Sequence, residues 1–235
     1  MQRMKITVVG ASGLIGTKVV ELLASEGHEV VASSRASGVD VLTGAGLDDA
    51  LAGADALVDA TNSPSFAADA VMEFFTTSAT NLVDAARRAG VGHYVALSIV
   101  GVDGLPDSGY MRAKVAQEKV ITESGLPHSI VRATQFAEFT EAITKSLTVG
   151  DEVRVPDALI QPIPADEVVS AVARAATSAP LNGIVNIGGR SKISFEQMAR
   201  DTLARKGDDT KTVIVDPEAR YFGAALSRGS LVTPD

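Results

Sequence analysis

Val8-Val9-Gly10-Ala11-Ser12-Gly13-Leu14-Ile15-Gly16 decides how the rest of the chain is read. The apolar run over residues 6–9 stops at a glycine, and glycines then recur at 10, 13 and 16. Behind them Ile15, Val19, Leu22 and Leu23 form one helical stripe, which Gly27 closes. A buried strand, a tight turn and a helix N-terminus in that order make an anion site. Glycines let the backbone turn and approach a phosphate, and the free N–H groups of the first helical turn point at it. The Gly-x-x-Gly-x-x-Gly spacing shares the mechanism, though not the letters, of the commoner Gly-x-Gly-x-x-Gly fingerprint. A plain strand-to-helix turn also uses glycines. The dinucleotide reading is favoured by the place of the motif at the start of the chain, between a strand and a helix.

Outward from this turn, short apolar runs alternate with amphipathic stretches, the pattern of an α/β protein with a parallel sheet. Strands are expected over 29–33, briefly over 39–41, and over 56–60, 94–97 and 129–132. Asp48 is expected to cap a brief helix with Leu47, Ala50 and Leu51 inward; longer helices follow over 66–89, stopped by Gly90, and over 110–124. Beyond Arg132 the rhythm loosens. A helical stretch over 136–147 is followed by interruptions at Gly150, Pro156, Pro162 and Pro164. Asp166 is then expected to cap a helix to residue 178, with an edge strand over 183–187, a Ser194-capped helix to 206 and a short strand over 213–215. The fold class is α/β: a Rossmann-like, doubly wound parallel sheet with a small C-terminal substrate lobe. Residues 1–134 form the dinucleotide-binding core and 135–235 the lobe, whose excursions return to the core as one compact unit.

Composition narrows the function classes. A net charge of −8 with dispersed Lys and Arg argues against a nucleic-acid or anionic-membrane binder. No apolar run approaches the roughly 20 residues a bilayer span needs. With no cysteine there is no disulfide, thiol nucleophile or cysteine metal site. His28, His93 and His128 each precede an expected strand and lack ligand spacing, so no metal is expected. A strand begins within a few residues of Met1, which leaves no room for a signal peptide, and a reducing, cytoplasmic compartment is the natural expectation.

Arg35 stands just beyond the second strand, where a site for NAD places an acidic side chain on the ribose 2′-hydroxyl. An arginine there suits a 2′-phosphate, with Ser34 as a further donor, so NADP (as NADPH) is expected and NAD is less suited. Tyr110 and Lys114 lie four apart at the start of a helix and so share one face. A lysine ammonium beside a phenol would lower the phenol's pKa and make Tyr110 a better proton donor or acceptor. Ser98 ends the fifth strand, where open α/β sheets place ligands, and could hydrogen-bond a substrate carbonyl. An amphipathic helix start would also carry a tyrosine and a lysine, so spacing alone leaves both readings open. Phe136, Phe139, Tyr221 and Phe222 fit the core of the lobe better than a pocket lining.

Gly10-x-x-Gly13-x-x-Gly16, Ser98 and Tyr110-x-x-x-Lys114 together resemble the short-chain dehydrogenase/reductase superfamily. The phrases Leu97-Ser98-Ile99-Val100-Gly101, Tyr110-Met111-Arg112-Ala113-Lys114 and Arg132-Ala133-Thr134-Gln135-Phe136 are similar to its atypical NAD(P)H-binding branch, which includes NmrA-like sensors and quinone or azo reductases. The resemblance implies that Gly10, Ser12, Gly13, Leu14, Ile15 and Gly16 hold the diphosphate and that Asp40 and Val41 flank the adenine. It implies that Ala60, Thr61 and Asn62 line the cofactor, with Thr134 and Gln135 near the nicotinamide and Lys114 on its ribose. Catalytic members carry an asparagine on the long central helix for a proton relay; alignment through Asn81-Leu82-Val83 puts Phe75 there.

The expected function is an NADPH-dependent oxidoreductase reducing a carbonyl or quinone-type small molecule, with Ser98, Tyr110 and Lys114 as catalytic residues. The alternative is a non-catalytic NADP-binding, NmrA-like sensor with a protein partner. A sugar-nucleotide epimerase is disfavoured by the short substrate lobe. Whether copies of the chain assemble into a homo-oligomer is open.

Overall fold

The computed structural model describes residues 3–234. Six parallel strands form the central sheet: β1 (Lys5–Val9), β2 (Glu29–Ser33), β3 (Ala56–Asp59), β4 (His93–Ile99), β5 (His128–Ala133) and, much later in sequence, β9 (Gly183–Ile187). Their spatial order is β2-β1-β3-β4-β5-β9. The reversal of direction between β1 and β3 sets the crevice above their carboxyl ends, where such sheets bind ligands.

Helices cover both faces. On one side α1 (Leu14–Ser25) packs against α6 (Ala165–Ala176), and Ile15, Val19, Leu23, Val168 and Val172 meet Ile6, Val8, Val58 and Val95 of the sheet. On the other, α3 (Ala68–Ala89) packs against α4 (Gly109–Thr122), and with the short α2 (Leu47–Leu51) covers Leu57, Tyr94, Ala96 and Ile130. The central strands β3 and β5 are buried along their whole length; β3 reads as an apolar run closed by Asp59, while β5 also buries His128, Ser129 and Arg132.

The remaining elements, α5 (Thr140–Ser146), β6 (Thr148–Val149), β7 (Glu152–Val155), β8 (Leu159–Ile160), β10 (Ile193–Ser194), α7 (Phe195–Lys206) and β11 (Thr212–Val215), gather as a lobe around an apolar cluster that they share with Val102, Leu105 and Met111. Ser194 caps α7 by accepting the Gln197 N–H at 3.0 Å, as expected. The C-terminal segment returns across the lobe: Leu231 is fully buried and bridges Ile160, and the Thr233 N–H donates to Gln161 Oε1 at 2.9 Å. Gly101, at φ +77°, admits this segment, since a Cβ there would stand 1.9 Å from the Ser230 carbonyl oxygen.

Three local expectations are corrected. Residues 39–41 form no strand. The Asp40 carboxylate accepts the Leu42 N–H at 2.8 Å and the Asp40 backbone bonds Ala45 and Gly44, so a local turn satisfies the groups a ladder would use. Asp48 does not cap α2: Gly46 does, in the left-handed region, and Asp48 sits in the first turn paired with Arg88 at 2.7 Å. Pro164, not Asp166, precedes α6, and Asp166 pairs with Lys18 instead. No helix among the described residues is long and apolar enough to cross a membrane.

Candidate functional site: a glycine-walled helix end and a tyrosine over the sheet

The turn after β1 is fixed by its own backbone. The N–H groups of Gly10 and Ala11 both donate to the Ser33 carbonyl at 3.1 Å, and the Gly13 N–H donates to Gly10 O at 3.0 Å. Gly10 lies at φ +83°, and a Cβ on it would stand 2.6 Å from Ala60 O; a Cβ on Gly16 would stand 2.1 Å from Gly10 O. Packing alone therefore demands both glycines. Gly13 differs. It has an extended backbone, and a Cβ on it would meet nothing nearer than Gly10 O at 3.4 Å. Yet it is the N-cap of α1, offers no side-chain cap, and has no acidic residue in the turn that follows. The first-turn N–H groups of α1 are thus left open to an anion, a cradle that fits a diphosphate. Ser12 and Leu14 are exposed beside it, whereas the Ile15 side chain is buried in the core, so Ile15 faces the cradle through its backbone only.

Arg35 opens the short turn after β2, exposed and without a carboxylate partner among the described residues. The Ser34 N–H donates to Ser37 Oγ at 2.9 Å, which holds that turn in shape. Val41, in the turn after Asp40, accepts the Asn81 Nδ2–H of α3 at its carbonyl, at 2.8 Å. These residues therefore stand along the β2 edge in a structure braced from below.

At the end of β3 the chain carries a group that sequence reading missed. Asp59 is buried and accepts four hydrogen bonds: Thr61 N–H (3.0 Å) and Oγ1–H (2.6 Å) on one oxygen, Tyr94 Oη–H (2.9 Å) and Gln117 Nε2–H (2.8 Å) on the other. Gln117 in turn accepts from Lys114 Nζ, which also donates to Leu97 O at 2.9 Å. A carboxylate closing the apolar run Ala56-Leu57-Val58, and a glutamine three residues after Lys114, are the signals that could have found this network.

Tyr110 is reached from α4. Its hydroxyl donates to Asn62 Oδ1 at 2.7 Å, and Phe75 meets its ring edge-on with centroids 5.7 Å apart. The activation expected from Lys114 is not the arrangement found. Lys114 is buried on the Leu97 carbonyl and Gln117, with its ammonium 4.5 Å from the centre of the Phe75 ring. Burial lowers its pKa to about 8 against the opposing charges of Asp59 and Glu118. Tyr110 is pushed the other way, up to about 12, by burial. Tyr110 is thus a neutral phenol at physiological pH.

Ser98, next to last in β4, has its hydroxyl buried and unpartnered among the described residues, and the side-chain Oε1 of Gln135 is in the same condition. An unmet buried polar atom costs about 1–3 kcal/mol, which a ligand could recover. Thr134 Oγ1 donates to Gln161 O, so its hydroxyl braces the lobe. Beside them Arg132 joins Glu118 at 2.9 Å and Asp103 at 2.6 Å, tying β5 to α4 and to the loop after β4.

With fold and cradle described, the class follows: a family model described as NAD(P)H-binding matches residues 10–179, and the chain belongs to that family. The resemblance carried by residues 10–16 thus holds at the level of family and fold. Among solved structures, a double mutant of the dTDP-glucose 4,6-dehydratase DesIV from Streptomyces venezuelae, with NAD bound, superposes at a TM-score of 0.75, with 19% identity over 97% of this chain and 89% of that one. The NADPH-dependent quinone oxidoreductase QOR2 of Escherichia coli, complexed with NADPH, gives 0.66, with 20% identity over 90% and 77%. Photosystem II assembly factor Ycf39 of Synechocystis is 24% identical over 149 residues, 57% of this chain and 46% of that protein. The chain therefore spans about half the length of that curated relative.

Proposed function

We propose that the protein is an NADPH-dependent reductase of carbonyl or quinone-type small molecules. The observation that carries this reading is the neutral Tyr110 hydroxyl at the carboxyl edge of the sheet, on the same edge as a helix N-terminus that Gly13 keeps clear. Gly10, Gly13 and Gly16 with the amides of Ser12, Leu14 and Ile15 would hold the diphosphate, and Arg35 would take the 2′-phosphate. Asp40 and Val41 would flank the adenine. Ala60, Thr61 and Asn62 would line the dinucleotide, with Thr134 and Gln135 toward its nicotinamide end. When bound, NADPH supplies the hydride. The chain's own part is placement and a proton. A phenol held in its protonated form is suited to give a proton to the oxygen that becomes anionic as a carbonyl or quinone is reduced. Ser98 would donate its unmet hydroxyl to that same oxygen. Lys114 supports the site by fixing the Leu97 carbonyl between β4 and α4; holding the ribose would require it to leave that bond.

Tyr110→Phe removes the proton source and is expected to lower turnover by about 10²–10⁴-fold while leaving NADPH affinity unchanged. The check is NADPH absorbance against a panel of quinones and aldehydes; turnover by the phenylalanine variant at the native rate contradicts the role. Arg35→Ala is expected to weaken NADPH binding about ten- to a hundredfold, the range of a charge-assisted hydrogen bond, and to leave NADH binding where it was. Equal losses for both coenzymes would remove Arg35 from the 2′-phosphate site.

The turning of Lys114 away from Tyr110 favours a second reading, a nucleotide sensor without turnover. Ycf39 is a relative whose name gives photosystem II assembly, not a reduction, as its role. A marked NADP/NADPH preference in calorimetry with no oxidation of NADPH across the panel would select it.

A further inference from the structure

Resting on the reading of Tyr110 as the proton donor, we infer that Asn62, from the loop between β3 and α3, is the positioning residue that holds this tyrosine as a hydroxyl until the proton is passed on. The contact is direct, Tyr110 Oη to Asn62 Oδ1 at 2.7 Å. What distinguishes it from a chance surface bond is the bracing behind Asn62. Asp59 binds both the N–H and the hydroxyl of Thr61, and the Ser63 N–H donates to the same Asn62 Oδ1 at 2.9 Å. Ser65 N–H then donates to Ser63 Oγ and Ala67 N–H to Ser65 Oγ, both at 3.2 Å, so the loop is pinned residue by residue into α3. Two donors on one oxygen also fix which end of the carboxamide faces the phenol.

The other neighbours leave this role vacant. Phe75, on α3, offers only a ring edge, and Lys114, one turn along α4, has its ammonium on Leu97 and Gln117. Phe66 lies 5.8 Å away, ring to ring. From the C-terminal segment Tyr221 is near enough that charge on Tyr110 opposes its own ionisation, so Tyr110 ionises first of that pair. An amide carbonyl accepts a hydrogen bond from a phenol and repels a phenolate, so Asn62 favours the protonated form. Asn62 itself is exposed. To give its proton the Tyr110 hydroxyl turns from Asn62 Oδ1 to the substrate oxygen; as the Tyr110 O–H breaks and an O–H forms there, the phenolate takes a proton from hydronium of the solvent that the exposed Asn62 side faces, leaving water.

The test reads Tyr110 without cofactor, substrate or turnover. The chain has three tyrosines and no tryptophan, so ¹³Cζ-tyrosine-labelled protein gives three ring signals, assigned with Tyr110→Phe and Tyr221→Phe. In the native protein the Tyr110 signal is expected to stay at its neutral position to about pH 11. Asn62→Ala is expected to bring its midpoint down by about one unit, a tenfold gain in acidity. Asn62→Asp keeps an acceptor for the Ser63 N–H but sets a negative charge beside the phenol, and is expected to move the midpoint up. A residue that only braced the loop would leave Tyr110 at its native midpoint in the alanine variant, and one that did not face the phenol would leave it there in the aspartate variant as well. An alanine variant titrating as the native protein does overturns the inference; if that variant does not fold, the aspartate variant decides, an unmoved midpoint overturning it. A protein that reduced no substrate would end the functional reading and leave this titration result standing.

Discussion

Gly13→Asp is expected to hold the fold at native stability or slightly above it while abolishing dinucleotide binding. The two effects have opposite signs because they act on different partners. Gly13 is the N-cap of α1, its backbone is extended, and a Cβ on it meets only Gly10 O at 3.4 Å. Aspartate at such a position accepts first-turn N–H groups and complements the helix dipole, worth up to about 1 kcal/mol relative to glycine. The same carboxylate occupies the donors that a diphosphate would use and adds a negative charge where two already have to sit. Gly16→Ala is the contrasting case. Its Cβ would stand 2.1 Å from Gly10 O and 2.7 Å from Gly10 C, backbone atoms that cannot step aside, so a loss of about 3 kcal/mol or more is expected. Denaturant melts and NADPH titration of both variants check the pair. A Gly13→Asp protein that binds NADPH as the native one does would show that the helix end is not the diphosphate site.

The second large effect is expected at Asp59. Asparagine can present one acceptor oxygen to the Thr61 pair or to Tyr94 and Gln117, not to both, so its amide must face a donor. It also withdraws the charge that favours the buried Lys114 ammonium. Breaking such a buried arrangement from one side costs about 3–5 kcal/mol, and Asp59→Asn is expected to lose about 3 kcal/mol at pH 7. The loss should shrink toward pH 10. Lys114 has a folded pKa of about 8, below that of the unfolded chain, so between the two the unfolded state binds the extra proton and native stability rises with pH. Once Lys114 is neutral, removing the Asp59 charge no longer matters to it. Equilibrium unfolding of native and variant protein at both pH values is the check; a loss that is equal at the two would remove Lys114 from the account.

How far the sequence could be read depended on whether its physics was local. The strands β1, β3, β4 and β5 are buried on both faces and so are written as apolar runs between glycines and polar ends. The two-residue strands β6, β8 and β10 carry no period of their own, and their pairing is set by the lobe around them. Val39 and Val41 alternate as a strand would, but Asp40 between them closes a turn on Leu42. At the site, the four-residue spacing did put Tyr110 and Lys114 on one side of α4. It could not say that Lys114 would be drawn to Phe75 and to Gln117, itself held by Asp59 from the far end of β3, or that Asn62 would take the phenol. Asp59, Asn62 and Phe75 come from β3, the loop after it and α3, which meet α4 only in the folded protein.

Whether the helix end at Gly10–Gly16 holds a dinucleotide is read from calorimetric titration of the native chain with NADPH, alongside NADH. One site per chain with a dissociation constant of micromolar order, about −8 kcal/mol, and weaker binding of NADH is the predicted result. A flat thermogram with both coenzymes would contradict the cradle at Gly10–Gly16 and every role assigned above it.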